Sequence, residues 1–139
     1  MPEITYLEAI RQSLWEEMDR DERVFIIGED IGRYGGAFGV TKGMLDEFGP
    51  ERIRETPISE PTIIAAAIGA SLLGMRPVAE LMFMDFLMLS LDQIGNQAAK
   101  MRYMFGGTAS VPIVVRMPGG SGTGAASHHS QSLETLLMH

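Results

Sequence analysis

The chain has 139 residues, 45% hydrophobic and 21% charged, with a net charge of −7 and no cysteine. This balance describes one folded domain with a real core, and it excludes a disordered chain, a disulfide framework and a cysteine-held zinc site. With no lysine or arginine cluster to offset the charge, nucleic acid and anionic membranes are not expected partners; no segment reaches the ~18 consecutive apolar residues of a membrane span, and the start Met1-Pro2-Glu3-Ile4-Thr5 lacks the features of a signal peptide, which fits a cytoplasmic protein.

The first element is a predicted amphipathic helix over residues 6–19. Thr5-Tyr6-Leu7-Glu8 has the form of a capping box, and Leu7, Ile10, Leu14 and Met18 recur at helical spacing. Val24-Phe25-Ile26-Ile27 is short and wholly apolar, the pattern of a buried parallel strand. Gly32 to Gly39 reads as a loop, and Thr41 as the cap of a short helix ending before Gly49-Pro50. Ile53 to Ile58 is extended, because Thr56 precedes a proline. Residues 61–74 form an Ala/Ile-rich helix, apolar nearly all round and so expected to be buried. A strand from Pro77 to Phe83 follows, then one long helix from Asp85 to Phe105, stopped by Gly106-Gly107. Val111 to Met117 is the next strand, and a helix begins near Ser130. Helices and strands alternate throughout, which predicts an α/β fold: a mostly parallel sheet with helices on both faces. The apolar pattern of Leu133, Leu136 and Leu137 continues to His139 without a stop signal, so the domain is expected to be incomplete.

Several residue groups invite a chemical reading. Glu60 sits where the extended Thr56-Pro57-Ile58 segment gives way to a helix whose first turn holds Pro61. That junction is the sheet edge where ligands bind in α/β folds, although a carboxylate there also serves as a plain helix-dipole partner. Gly120-Ser121-Gly122-Thr123-Gly124-Ala125 fits a dinucleotide fingerprint, but on the fourth strand rather than the first; a plain loop is the stronger reading. No P-loop sequence and no G-x-S-x-G occurs. His128 and His129 are adjacent and lack a third ligand at zinc spacing, so each reads as a loop residue by composition. Asp85 is expected as an N-cap and Asp92 as a solvated charge. Glu29-Asp30 could ligate Mg²⁺ at a strand end or simply be solvated.

Six runs taken together carry more. They are Ile27-Gly28-Glu29-Asp30, Thr56-Pro57-Ile58-Ser59-Glu60, Gly74-Met75-Arg76-Pro77-Val78-Ala79-Glu80, Asp92-Gln93, Asn96-Gln97-Ala98-Ala99-Lys100 and His129-Ser130-Gln131-Ser132. In this order and spacing the chain resembles the β subunit of thiamine-diphosphate-dependent 2-oxo acid dehydrogenases. That group includes the first components of the pyruvate and branched-chain complexes and acetoin dehydrogenase. The likeness covers essentially all 139 residues, and Lys100 to Gly107 leans toward pyruvate or acetoin members.

The resemblance implies a partial pyrimidine-binding, transketolase-like domain over residues 1–139. It implies that Glu60 hydrogen-bonds a ring nitrogen of the aminopyrimidine of thiamine diphosphate and, by sharing a proton, promotes loss of the thiazolium C2 proton. Phe86 matches the aromatic that packs on the pyrimidine, Met82 a contact position, and Ile58 a residue whose backbone neighbours the ring. His129 matches a histidine near the substrate and the incoming lipoyl arm. The carbonyls of Val111, Ile113 and Val114 match a structural potassium site. The implied partners are an α subunit, which holds the diphosphate and its Mg²⁺ in an α₂β₂ assembly, a lipoyl-bearing acyltransferase and a small 2-oxo acid. The family's β subunit continues past His139 into a second domain. These 139 residues alone are therefore expected to be inactive, with a non-catalytic chain that only pairs with an α subunit as the alternative.

Overall fold

Local signals at the start of the chain set its first element. In the computed structural model, which describes residues 3–138, helix α1 spans Tyr6–Arg20 and opens on the expected capping box. The Glu8 amide donates to Thr5 Oγ1 at 3.2 Å, and the Thr5 amide donates to the Glu8 carboxylate at 2.8 Å. Such a cap contributes about 1 kcal/mol. At the other end, Arg52 closes the helix: its guanidinium donates to the carbonyls of Met18 and Asp21 at 2.9 and 3.1 Å. Met1, Pro2 and His139, on which the readings of the chain's two ends fall, lie outside the described residues.

Four strands follow: β1 (Val24–Glu29), β2 (Ile53–Thr56), β3 (Arg76–Glu80) and β4 (Val114–Arg116). All pairings are parallel, in the order β2-β1-β3-β4. The period-two alternation of a strand splits β1 between two cores. Val24 and Ile26 join Leu14 and Met18 of α1 on one face. Phe25 and Ile27 join Ile63, Ile64, Ala67 and Ile68 on the other. The latter four belong to helix α3 (Glu60–Leu72), while Met44 of α2 (Met44–Phe48) joins the first core. The sheet is thus covered by helices on both faces, as the alternation of elements predicted.

Several elements depart from expectation. The strand expected over 111–117 pairs only at Val114–Arg116, because Pro112 has no N–H and the Ile113 amide turns back to the Val111 carbonyl at 2.9 Å. Pro57 likewise ends β2 at Thr56. Thr41 is not a helix cap: its hydroxyl donates to the buried Ile31 carbonyl at 2.7 Å, and α2 starts three residues later. The single helix expected over 85–105 is helical but changes pitch. Met84–Ser90 is a 3₁₀ helix, Asp92–Ala98 a π-helix around Gly95, and only α4 (Ala99–Met104) is α-helical. Among the described residues after Ser130 there is no regular α-helix, only a 3₁₀ turn at Glu134–Leu137. Helix α3 is not buried all round: Ala65, Ala66, Gly69, Leu72 and Leu73 face outward.

Candidate active site

The carboxyl edge of the sheet collects the charged residues. β1 ends at Glu29, β3 at Glu80 and β4 at Arg116, and the chain leaving β2 reaches Glu60 within four residues. With strand order β2-β1-β3-β4 the direction of chain crossing reverses between β1 and β3. In parallel α/β sheets that switch point, at the carboxyl ends, is where ligands bind.

Glu60 is the first residue of α3 and only 6% exposed. Ser59 before it is non-helical, and its hydroxyl is engaged with Thr62 at 2.7 Å instead of capping the helix. No side-chain hydrogen bond among the described residues involves the Glu60 carboxylate, and its oxygens are not among the fully buried ones, so they remain open to an outside donor. Glu29 lies near it: burial, then the charge of Asp30, then that of Glu60, push the Glu29 carboxyl up from its ordinary value. Asp30 itself is exposed, in a left-handed conformation, with its carbonyl accepting the Gly36 amide.

The expected contact residues divide. Phe86 and His129 meet: their rings are 5.5 Å apart and perpendicular. Met82 is half-buried two residues beyond β3, whereas Ile58 is 75% exposed. Val111, Ile113 and Val114 lie at the start of β4, the opposite end from Glu60, and the Val111 carbonyl already accepts the Ile113 amide. A cavity of about 500 Å³ opens beside them, lined by Arg23, Ser71, Arg76, Thr108, Ser110 and Pro112 among others.

Sequence reasoning missed two aromatic partners. Phe83 packs against His129 at 4.6 Å, closer than Phe86 does, and Phe38 from the glycine loop packs against Phe83 at 5.8 Å. The i, i+3 spacing of Phe83 and Phe86 was a usable signal, because two rings one turn apart share a helix face. Nothing local marks Phe38, which arrives through tertiary folding. His128, by contrast, is exposed, with Ser127 Oγ 3.4 Å from its Nδ1.

His129 is carried by a segment knitted onto the start of the 3₁₀ helix. The Met84 amide donates to the Pro118 carbonyl at 2.7 Å and the Gly120 amide to the Gln131 carbonyl at 2.9 Å. Asp85, instead of capping its own helix, accepts from the Gln131 side chain at 2.9 Å and the Gln131 amide at 3.3 Å. Burial would raise the Asp85 carboxyl, but these donors prevail and hold it below its ordinary value. Ala126, just before the His129 turn, sits at φ 63° and ψ −165°. That region is nearly glycine-only and costs on the order of 1–3 kcal/mol, so the surrounding contacts must enforce it.

The loop 120–125 is exposed almost throughout, and no α-helix follows it to present amides to a pyrophosphate, so the dinucleotide reading has no structural support. Among the described residues no three His, Asp or Glu side chains are grouped to hold a metal ion, and none of the helices is long and apolar enough to cross a membrane. What the edge offers is an unpartnered carboxylate, a neighbouring acid and an imidazole held against aromatic rings. Glu60 can accept a proton or hydrogen bond from a bound group, and the His129 imidazole, held against Phe83 and Phe86, is a second group able to carry a proton.

Residues 2–139 match the family model described as "Transketolase, pyrimidine binding domain". The chain is 48% identical over its whole length to the 2-oxoisovalerate dehydrogenase subunit beta of Bacillus subtilis, covering 42% of that protein. It is 47% identical to a pyruvate dehydrogenase E1 component subunit beta of Staurastrum punctulatum, over 99% of this chain and 42% of the relative. The mitochondrial counterpart of Bos taurus is 46% identical over 99% of this chain and 38% of its own length. The chain therefore spans about two-fifths of the relatives it matches. With a family model matched from residue 2 to residue 139 and an all-parallel sheet bearing a buried glutamate at its carboxyl edge, this chain belongs to the transketolase pyrimidine-binding domain family.

Proposed function

We propose that this chain is the pyrimidine-binding portion of the β subunit of a thiamine-diphosphate-dependent 2-oxo acid dehydrogenase. The observation that carries the proposal is Glu60: a carboxylate 6% exposed, at the carboxyl edge, without a protein donor. The carboxylate accepts no side-chain hydrogen bond among the described residues and its oxygens stay accessible, so a ring N–H of an aminopyrimidine is a donor that it can take. When bound, thiamine diphosphate supplies the electron sink that lets a 2-oxo acid lose CO₂.

The chain's own residues then have separate tasks. Glu60 holds and exchanges the proton on the pyrimidine nitrogen. Phe86 and Met82, both half-buried beyond β3, form apolar surface against which a flat ring rests, and the Ile58 backbone lies two residues before Glu60. His129 presents its imidazole for acyl transfer to a lipoyl group. The carbonyls of Val111, Ile113 and Val114 serve a structural potassium ion at the far end; the second lone pair of the Val111 oxygen remains available.

The diphosphate and Mg²⁺ are assigned to a partner α subunit. This chain without that subunit is expected to be inactive. The outward apolar face of α3 (Ala65, Ala66, Gly69, Leu72, Leu73) and the exposed Tyr103, Met104 and Phe105 offer surface for subunit contact. The names of the relatives favour pyruvate or a branched-chain 2-oxo acid as substrate, a lipoyl-bearing component as acceptor, and the cytoplasm is the compartment proposed.

The test is decarboxylation of pyruvate and of 2-oxoisovalerate by the β subunit carrying these residues, mixed with its α subunit, with and without thiamine diphosphate. Cofactor-dependent CO₂ release is expected, and Glu60→Gln should remove it while sparing the far-ultraviolet spectrum. Near-normal turnover in Glu60→Gln would refute the assignment.

A further inference from the structure

Asp85 has no capping role and lies 46 residues from its partner, yet it is only 6% exposed. A buried carboxylate needs donors, and here both come from one residue, Gln131, to Oδ1 alone, through its side chain at 2.9 Å and its amide at 3.3 Å, while Oδ2 has no partner among the described residues. The same residue is held from the other side, where its carbonyl accepts the Gly120 amide at 2.9 Å. Two residues beyond Gln131, the Leu133 amide points at Met84 Sδ at 3.1 Å. Gln131 is two residues after His129, whose ring stands edge-on to both Phe83 and Phe86. Those two rings flank Asp85 in sequence, so the fastening point and the aromatic walls belong to one rigid turn.

We infer that Asp85 is a positioning residue: through Gln131 it latches the 126–131 segment so that the His129 imidazole stays lodged against Phe83 and Phe86. The strained backbone at Ala126 fits a segment pulled into place by its far end, since a left-handed alanine persists only where later contacts enforce it. Asp85 acts on His129 through the chain, by way of Gln131. Gln131 is held by Asp85 on one side and by the Gly120 amide on the other, so loss of the carboxylate removes both bonds that fix its side chain and its amide. The functional importance of the latch rests on the reading of His129 given above; its geometry does not.

The test is ¹H NMR of the histidine ring protons in this 139-residue chain at one fixed pH. The His129 signals are assigned by their loss in His129→Gln. They are expected to be displaced from those of exposed His128 by the ring currents of Phe83 and Phe86. Asp85→Leu should move them to the position of the His128 signals while the core methyl signals of Ile26 and Ile64 stay in place. Asp85→Asn keeps an acceptor oxygen for Gln131 and should keep the displaced signals. His129 signals unmoved in Asp85→Leu would overturn the latch. Should Asp85→Leu fail to fold, Gln131→Ala decides: signals that move support the latch, and signals that stay overturn it. Failure of the functional reading looks different, because normal acyl transfer in a His129→Ala enzyme would remove the role of His129 and leave the latch standing.

Discussion

Glu80 and Arg116 form a buried pair at the carboxyl ends of β3 and β4, with Glu80 Oε2 2.5 Å from Arg116 Nη1. Both side chains are largely shielded, at 6% and 16% exposure. The N–H is not aligned on the oxygen, so this is a charge contact and leaves Arg116 Nε and Nη1 without a well-formed hydrogen bond among the described residues. Burial raises the Glu80 carboxyl, and the guanidinium only partly opposes it. Removing one partner strands the other in a dry site. Glu80→Ala or Arg116→Ala is expected to cost about 3–5 kcal/mol, whereas replacing both by methionine should cost much less. Urea midpoints of the three variants would check this; equal losses in single and double variants would contradict it.

The same carboxylate constrains the glycine loop. A Cβ on Gly36, at φ +81°, would lie 3.1 Å from Glu80 Oε1, while one on Gly39, at φ +76°, would meet nothing within 4 Å. Both positions disfavour L side chains by about 1–2 kcal/mol. Gly36→Ala should therefore destabilise the chain more than Gly39→Ala, the difference being the contact with Glu80. Equal thermal midpoints for the two variants would show that the loop yields.

Glu29 reports on Glu60. Burial leads the rise of its carboxyl above 4.5, and the charges of Asp30 and Glu60 add to it. In Glu60→Gln one like charge is gone, so the Glu29 titration should move down toward 4.5 without reaching it. The linkage sign follows. A raised folded-state value gives a stabilising contribution that is fully present below 4.5 and is lost as pH rises through the folded value. Carboxyl carbon shifts followed by NMR would measure both, and an unmoved Glu29 titration would place Glu60 too far away to act on it.

Asp21 behaves in the opposite sense. A side-chain hydrogen bond from Arg23, then the Arg23 amide, hold its carboxyl well below 3.8. A depressed folded-state value gives stability that is present above 3.8 and is lost as pH falls through the lowered value. Asp21→Asn should flatten the acid side of the stability curve and leave the region above pH 5 unchanged in slope, on the order of the window over which such a group titrates. Denaturation series at stepped pH would show it.

The sequence by itself determined what depends on neighbours along the chain. The Thr5–Glu8 cap, the apolar run of β1 and the Ala/Ile pattern of α3 are local, and alternation of helices with short apolar strands is enough to predict a parallel sheet with helices on both faces. Glu60 was legible because Thr-Pro-Ile before it and Pro61 after it mark a strand-to-helix junction. Contacts between distant segments were decided only by the tertiary structure. Asp85 reads as a helix cap until Gln131, 46 residues on, takes its carboxylate. Thr41 reads as a cap until the Ile31 carbonyl takes its hydroxyl. Phe38 carries no signal of its own, and it backs Phe83, a wall for His129, because the glycine loop and the residues after β3 meet at one edge. A polar or aromatic side chain has several acceptable partners in sequence, and burial selects among them, because a group taken out of water must be matched by whatever the fold brings to it.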